Sequence, residues 1–319
     1  MGLKRYLRNL FRHDRNTRQL FDELKTKVDS IPHGEYIARQ VKENIRTQYM
    51  QDKVMSTTEM GISSTKLCEH EVVVSLTTHG IRIHNVCLAI ESIMQGSVKP
   101  NRIVLWLSEE EFKGKLLPIS LQNQVKRGLQ IEYCRDIRSF KKLIPSLKMF
   151  PEACIVTIDD DVIYDFDLVE NLIKTHIENP TVVCANRIHR LELSENKMPI
   201  SYIQWQWGIN DYMPNKLNFF TGVGGVLYPP NIFLQEVFNE SVFMDICEFA
   251  DDVWFNAMLM LNKVSIIKSY THSLQGEDYV EISDVKYVGL CNENVNSHSC
   301  RNDIQIKAVW DKYKLNELF

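Results

Sequence analysis

The stretch CIVTIDDDVIY, from Cys154 to Tyr164, decides how this chain is read. Residues 154–158 form an apolar, β-branched run, the pattern of a buried strand in a parallel sheet. The run ends abruptly in three consecutive carboxylates, Asp159, Asp160 and Asp161. Burying that much negative charge is costly unless a positive charge lies against it. A divalent cation at the C-terminal end of the strand would answer that cost. Hard oxygen ligands suit Mg²⁺ or Mn²⁺, and these ions commonly take substrate phosphate oxygens as well. In open α/β sheets, ligands collect at the carboxyl ends of the strands. The stretch therefore reads either as a metal-assisted site for a phosphorylated substrate or as a solvated acidic turn.

Upstream and downstream, strand and helix patterns alternate. Strands are expected at residues 72–77, 102–107, 130–134 and 181–185, with helices at 85–95, 121–127 and 167–178, the last capped by Asp167. This alternation implies an α/β, Rossmann-like domain: a mostly parallel sheet flanked by helices. Beyond Asn186 the pattern becomes irregular and rich in aromatic residues and glycine. Such segments, lying over strand ends, commonly carry substrate contacts.

Residues 1–65 differ from the rest and are expected to form a helical appendage and linker, with the α/β domain over 66–319. Leu3, Leu7, Leu10 and Phe11 recur at helical spacing among Lys4, Arg5, Arg8, Arg12, Arg15 and Arg18. A basic amphipathic helix over residues 1–20 could lie on an anionic membrane surface or dock on the main domain. Tyr36, Ile37, Val41, Ile45 and Tyr49 suggest a second helix, and residues 56–65 read as a linker.

The 319-residue chain has a formal net charge of −4, which argues against general nucleic-acid binding. Its eight cysteines are scattered without a CxxC pair. Most sit in apolar runs, where a reduced cysteine behaves as a small hydrophobe. No secretory signal and no membrane-spanning run is visible, so the expected setting is reducing and cytoplasmic.

The order of strand, helix, Gln95…Pro100…RIVLWL and then TIDDD resembles the nucleotide-binding half of GT-A glycosyltransferases, near glycosyltransferase family 2. The resemblance covers roughly residues 70–275. Three later features arrive in the order that fold uses. Thr221–Val226 (TGVGGV) is similar to a glycine-rich loop beside a donor sugar; Gly222, Gly224 and Gly225 let backbone approach a ligand closely. Its other reading is a tight turn. ADDVWF, from Ala250, resembles the family's acidic pair at a helix start, with Asp251 in the Glu position and Asp252 as general base. A helix N-cap would explain the same residues structurally. His272, in YTHS, resembles a histidine that completes a metal shell with Asp159 and Asp161; His298 is the rival, and a structural or surface role remains open for either.

The resemblance implies a metal-dependent, inverting transferase using Mn²⁺ or Mg²⁺ and a nucleotide-sugar donor. The acceptor would be a glycan or lipid-linked glycan of the surface-polysaccharide type, handled at the inner face of the membrane. Thr77, Thr78, Arg82, Lys142, Asp159, Asp160, Gly222, Gly224 and Gly225 are the candidate donor contacts. Lys141 and Lys142 also read as a solvated pair. Trp205 and Trp207 lie on one face of an extended segment, which suits either stacking on an acceptor sugar or packing over the sheet. Two other readings stand beside this one: a phosphatase of the haloacid-dehalogenase type, with the first Asp as nucleophile, and a non-catalytic nucleotide- or sugar-binding module.

Overall fold

The computed structural model describes residues 34–273, 276–282 and 301–319, without the side chains of 34–39. The chain divides into two compact units, Met1–Asp52 and Lys53–Phe319. The basic segment 1–20 and His298 lie outside the described residues. The second expected helix is present as α1 (Gly34–Ser56).

Eleven strands are formed among the described residues: β1 (Val72–Thr77), β2 (Arg102–Ser108), β3 (Leu129–Cys134), β4 (Cys154–Thr157), β5 (Val162–Tyr164), β6 (Val183–Ala185), β7 (Ile188–Arg190), β8 (Asn218–Phe220), β9 (Val226–Tyr228), β10 (Ile266–Lys268) and β11 (Tyr279–Glu281). Seven of them make one sheet, in the order β10-β6-β9-β4-β1-β2-β3. Neighbours are parallel except β9, which runs antiparallel to both β4 and β6. The helices are α2 (Val86–Met94), α3 (Glu109–Phe112), α4 (Ile119–Val125), α5 (Ile144–Met149), α6 (Leu168–Glu178), α7 (Glu240–Ile246), α8 (Asp251–Leu261) and α9 (Arg301–Tyr313). The expected α/β architecture, a mostly parallel sheet with helices, is thus the one observed.

The reason lies in burial. Strands β1 and β4 are apolar at nearly every position and closed off on both faces, as central parallel strands must be. Helix α2 is buried all round, so its one charge, Glu91, needs a partner: Arg127 binds it through two hydrogen bonds of 2.7 and 2.9 Å. The core runs from Val73, Ile155 and Val226 in the sheet to Trp254 in α8 and Trp310 in α9.

Residues 57–70, which enter β1, contain no helix or strand. They are nonetheless tied down: the Gly61 amide donates to the Arg127 carbonyl (2.9 Å), and Asn101 Nδ2 donates to the carbonyls of Ser63 and Thr65 (2.9 Å each). The stretch expected as a linker therefore lies hydrogen-bonded along the domain.

Candidate active site

Strand pairing explains why the site lies where it does. β9 begins beside the end of β4, with Val226 opposite Thr157. The residues before β9 are therefore brought against the residues after β4: the glycine loop meets the acidic run. Helix α8 is fastened to the same place by Asn256. Its side chain accepts from the Phe220 amide and donates to the Phe220 carbonyl, both at 3.1 Å. The start of α8, Asp251 and Asp252, thus abuts Gly222.

Lys142 joins the pieces. It ends a 3₁₀ turn (Arg138–Lys142) held over the sheet by a buried polar network. Ser75 Oγ donates to the Lys142 carbonyl (2.5 Å) and lies 2.8 Å from Ser146 Oγ, which also accepts from Trp106 Nε1 at 2.7 Å. The buried ammonium then lies 2.9 Å from Asp159 Oδ1 and 3.1 Å from Asp251 Oδ2. Burial disfavours its charge, but Asp159, Asp251 and Asp252 outweigh that and hold its pKa well above the ordinary lysine value. Lys141 is turned elsewhere, to Asp136.

The three carboxylates of the run face different partners. Asp160 is buried and engaged at both oxygens, by Thr78 Oγ1 (2.5 Å) and Arg82 Nη1 (2.7 Å). Asp159 faces Lys142, while its amide donates to the Tyr164 hydroxyl at 2.8 Å. Asp161 is partly open, as Asp159 is: 32% of its side chain is exposed against 28% for Asp159, with Arg82 Nη1 3.3 Å from Asp161 Oδ2. Burial, then repulsion from Asp159 and Asp160, raises the Asp161 pKa from 3.8 to about 7 despite Arg82.

Asp252 presents Oδ2 to the Gly222 amide at 2.9 Å, while Oδ1 is buried without a hydrogen-bond partner. Burial and then Asp251 raise its pKa from 3.8 to about 7, opposed by Lys142 and the Gly222 amide. A Cβ on residue 222 would stand 2.8 Å from Lys142 Nζ and 3.0 Å from Asp252 Oδ1, so glycine is what lets these groups converge. Gly225 has φ +86°, the left-handed region glycine favours.

Several of the expected site residues lie apart from this cluster. Thr77 Oγ1 donates to the Trp106 carbonyl (2.9 Å) within the sheet and does not join this cluster. Trp205 is 4% exposed and packs in the core, whereas Trp207 is 43% exposed and stacks on His189, so the two indoles do not form a shared open platform. Tyr202 wedges between them, with ring centroids 4.9 and 5.3 Å away. Asp167 stands at the α6 N-cap position without a side-chain cap bond; its carboxylate lies 2.7 Å from His272 Nε2. His272 is grouped with Asp165 and Asp278, not with Asp159 and Asp161. The physical cause is β5: four extended steps along the chain carry Asp165 about 13 Å from Asp161, and β11 pairs along that length.

Sequence reading overlooked Tyr164, Asn256 and Arg187. Arg187 follows β6 and donates from Nη1 to Thr221 Oγ1 at 3.0 Å, at the mouth of the glycine loop. A Cβ on Gly224 would stand 2.7 Å from Arg187 Cβ, so this glycine backs the arginine rather than the acidic cluster. A lone Arg or Asn after a short strand carries no spacing signal; the Asp252–Asn256 step of one helical turn was the one available clue.

No family model matches the chain, and no curated protein matches it in sequence. Solved structures similar to it include a mannosyltransferase, PcManGT from Pyrobaculum calidifontis, in complex with GDP-Man and Mn²⁺, at 13% identity and a TM-score of 0.40. That match covers 72% of this chain and 63% of the mannosyltransferase, less than two thirds of its length. Another is a CMP:2-keto-3-deoxy-manno-octonic acid synthetase complexed with CTP, at 9% identity and a TM-score of 0.36, covering 62% of this chain and 88% of that one.

Proposed function

We propose that the chain is a GT-A-like, metal-dependent glycosyltransferase that moves a sugar from a nucleoside diphosphate to a hydroxyl of a glycan or lipid-linked acceptor, with inversion. The observation that carries this reading is the convergence on Lys142: the acidic run, the glycine loop and the acidic pair of α8 meet around one buried ammonium. Three segments far apart in sequence, each with its own chemistry, form one cluster.

The residues fit a divalent cation. Five carboxylates (Asp159, Asp160, Asp161, Asp251, Asp252) face two cations, Lys142 and Arg82, and two of the acids are pushed toward neutrality. Asp161, with Asp159 beside it, would hold Mn²⁺ or Mg²⁺. Bound there, the ion would neutralise charge developing on the leaving diphosphate. Arg82 and Thr78 fix the run through Asp160. Asp252 takes the proton from the acceptor hydroxyl, held in place by the Gly222 amide. Direct attack by that hydroxyl inverts the anomeric centre without a covalent sugar–enzyme intermediate.

The deciding experiment measures nucleoside diphosphate released from a panel of nucleotide-sugars, with and without Mn²⁺, beside phosphate released from monoesters. Metal-dependent diphosphate release with sugar transfer supports the proposal. Phosphate release from monoesters alone replaces it with the phosphatase reading, and donor binding without turnover leaves a binding module.

In the same reading, residues 1–20 hold the enzyme on an anionic membrane at the cytoplasmic face. Among the described residues, no helix is long and apolar enough to cross a membrane. Each basic side chain at such a surface contributes on the order of 1 kcal/mol. Co-sedimentation with anionic liposomes should therefore fade at high salt and disappear when residues 1–20 are removed; equal binding with and without them rejects the attachment.

A further inference from the structure

At the opposite end of β4 from the acidic run, a second cluster of chemically capable side chains comes together. Cys154 opens β4, His176 lies in the last turn of α6, and Cys68 belongs to the segment that enters β1. Their ligand atoms, two Sγ and one imidazole nitrogen, all lie within 4.8 Å of one another. Cys154 Sγ is 3.4 Å from His176 Nε2. Cys154 and His176 are buried, whereas Cys68 is half-buried with its thiol 3.3 Å from the His70 carbonyl. Five extended steps along the chain separate Cys154 from Asp159, about 16 Å, so this cluster is distinct from the candidate active site.

Ordinary packing leaves the grouping unexplained. A thiol is a weak donor and a weak acceptor, so it satisfies a buried imidazole poorly. His176 Nδ1 is itself buried without a hydrogen-bond partner. A protein interior normally pairs both polar atoms of a buried histidine. Here three elements each direct a metal-ligating atom to one point, and the imidazole gains little hydrogen bonding in return.

We propose that Cys68, Cys154 and His176 form a three-ligand zinc site. Two thiolates and an imidazole are a donor set that Zn²⁺ prefers, and an oxygen-seeking ion such as Mg²⁺ does not. The fourth position of the tetrahedron falls to water on the half-exposed Cys68 side. The ion would fasten three pieces that meet at this end of the sheet: the entering segment, the start of β4 and the end of α6. Backbone bonding already brings the first two together, since the Cys154 amide donates to the Glu71 carbonyl at 2.8 Å. Binding releases the thiol protons, so affinity should fall in acid. The site is independent of the proposed transferase reaction.

The test uses the full chain, purified under reducing conditions and loaded with Zn²⁺ or Co²⁺. Expected results are one tightly held equivalent of Zn²⁺ per chain, thiolate-to-metal charge-transfer absorption with Co²⁺, and a drop in Tm when a chelator strips the metal. The Cys68→Ser variant, altered at the half-exposed position, should lose the equivalent and the chelator response. Cys134→Ser, a half-buried cysteine outside the cluster, should keep both. Where Cys68→Ser does not fold, His176→Gln takes its place in the comparison. Thiolate-to-Co²⁺ charge-transfer absorption that is unchanged in Cys68→Ser or His176→Gln overturns the proposal. So does wild-type protein that binds no Zn²⁺, or protein isolated with Cys68 and Cys154 joined as a disulfide, seen as two fewer titratable thiols restored by reductant.

Discussion

Asp252 differs from its neighbour in what each oxygen does. One oxygen rests on the Gly222 amide and the other is buried with no hydrogen-bond partner, while Asp251 Oδ2 lies 3.1 Å from the Lys142 ammonium as an ion pair. With a pKa of about 7, Asp252 is poised as a base near neutrality. Replacing it with Asn should lower transfer by roughly two to four orders of magnitude, the usual worth of a positioned base, with donor affinity nearly intact. The rate of the wild-type enzyme should rise with pH through about 7, where Asp252 loses its proton, and that limb should vanish in Asp252→Asn. Loss of turnover in Asp251→Asn with full turnover in Asp252→Asn would transfer the role; retention in both would remove the inverting mechanism. Gly222 gives a second residue-scale prediction. The atoms that a new Cβ would meet are the tips of Lys142 and Asp252, which can move aside. Gly222→Ala should therefore cost only about 1 kcal/mol of stability but roughly 100-fold in turnover, the scale of an ångström-sized misplacement. Equal activity at unchanged Tm would mean that the close approach plays no part in the reaction.

At the scale of elements, the Arg138–Lys142 turn acts as a strut between the end of β4 and the start of α8. Lys142→Met keeps the side chain's length and removes its charge, leaving Asp159 and Asp251 facing each other. Breaking one side of a buried pair costs about 3–5 kcal/mol. Urea unfolding of the metal-free protein at neutral pH should show a loss of that order, and a change below about 1 kcal/mol would mean that solvent already screens the pair. How legible such joints are in sequence depends on element length. β1, β2 and the apolar half of the acidic stretch announce themselves because five or more consecutive positions are buried. β7, β8, β9 and β10 are three residues each, too short for any period to emerge. The antiparallel insertion of β9 between β4 and β6 could not be read at all, although it is what brings Gly222 to Asp159. The acidic run, Lys142 and the acidic pair were found as separate motifs. Asp167 holds the N-cap position of α6, but its carboxylate faces His272, and sequence alone does not reveal that pairing because the register of β5 with β11 fixes their places. Trp205 is ambiguous for a simpler reason: alternation puts two indoles on one side of a strand, but Trp205 ends a 3₁₀ turn (Tyr202–Gln204), and there one ring is buried and the other is not.

For the whole molecule, the acidic cluster makes stability depend on pH and on cations together. The folded-state pKa of Asp161 is raised above its usual value, from 3.8 to about 7. Between those two values the unfolded chain has released a proton that the folded protein keeps. Stability is therefore highest, on this account, below the unfolded value, falls as pH rises through the window from about 4 to 7, and is fully reduced above it. Asp252 acts in the same direction over the same window. The Asp161 side chain is a third exposed, so solvent screening tempers the effect and its size is smaller than the shift alone implies. A bound divalent cation reverses the sign by favouring the ionised form, since its attraction opposes both burial and the neighbouring carboxylates. Three outcomes follow for thermal unfolding. In chelator, wild-type Tm should fall between pH 5 and pH 8, and Asp161→Asn should fall less. At pH 8, Mn²⁺ should raise the Tm of the wild type and leave Asp161→Asn nearly unchanged. At pH 5, where Asp161 is protonated, the benefit of Mn²⁺ should shrink because each ion must displace a proton. A Mn²⁺ stabilisation of equal size in Asp161→Asn at pH 8 would show that the ion is held elsewhere, and the acidic run would then be a charge cluster governed by Lys142 and Arg82 alone.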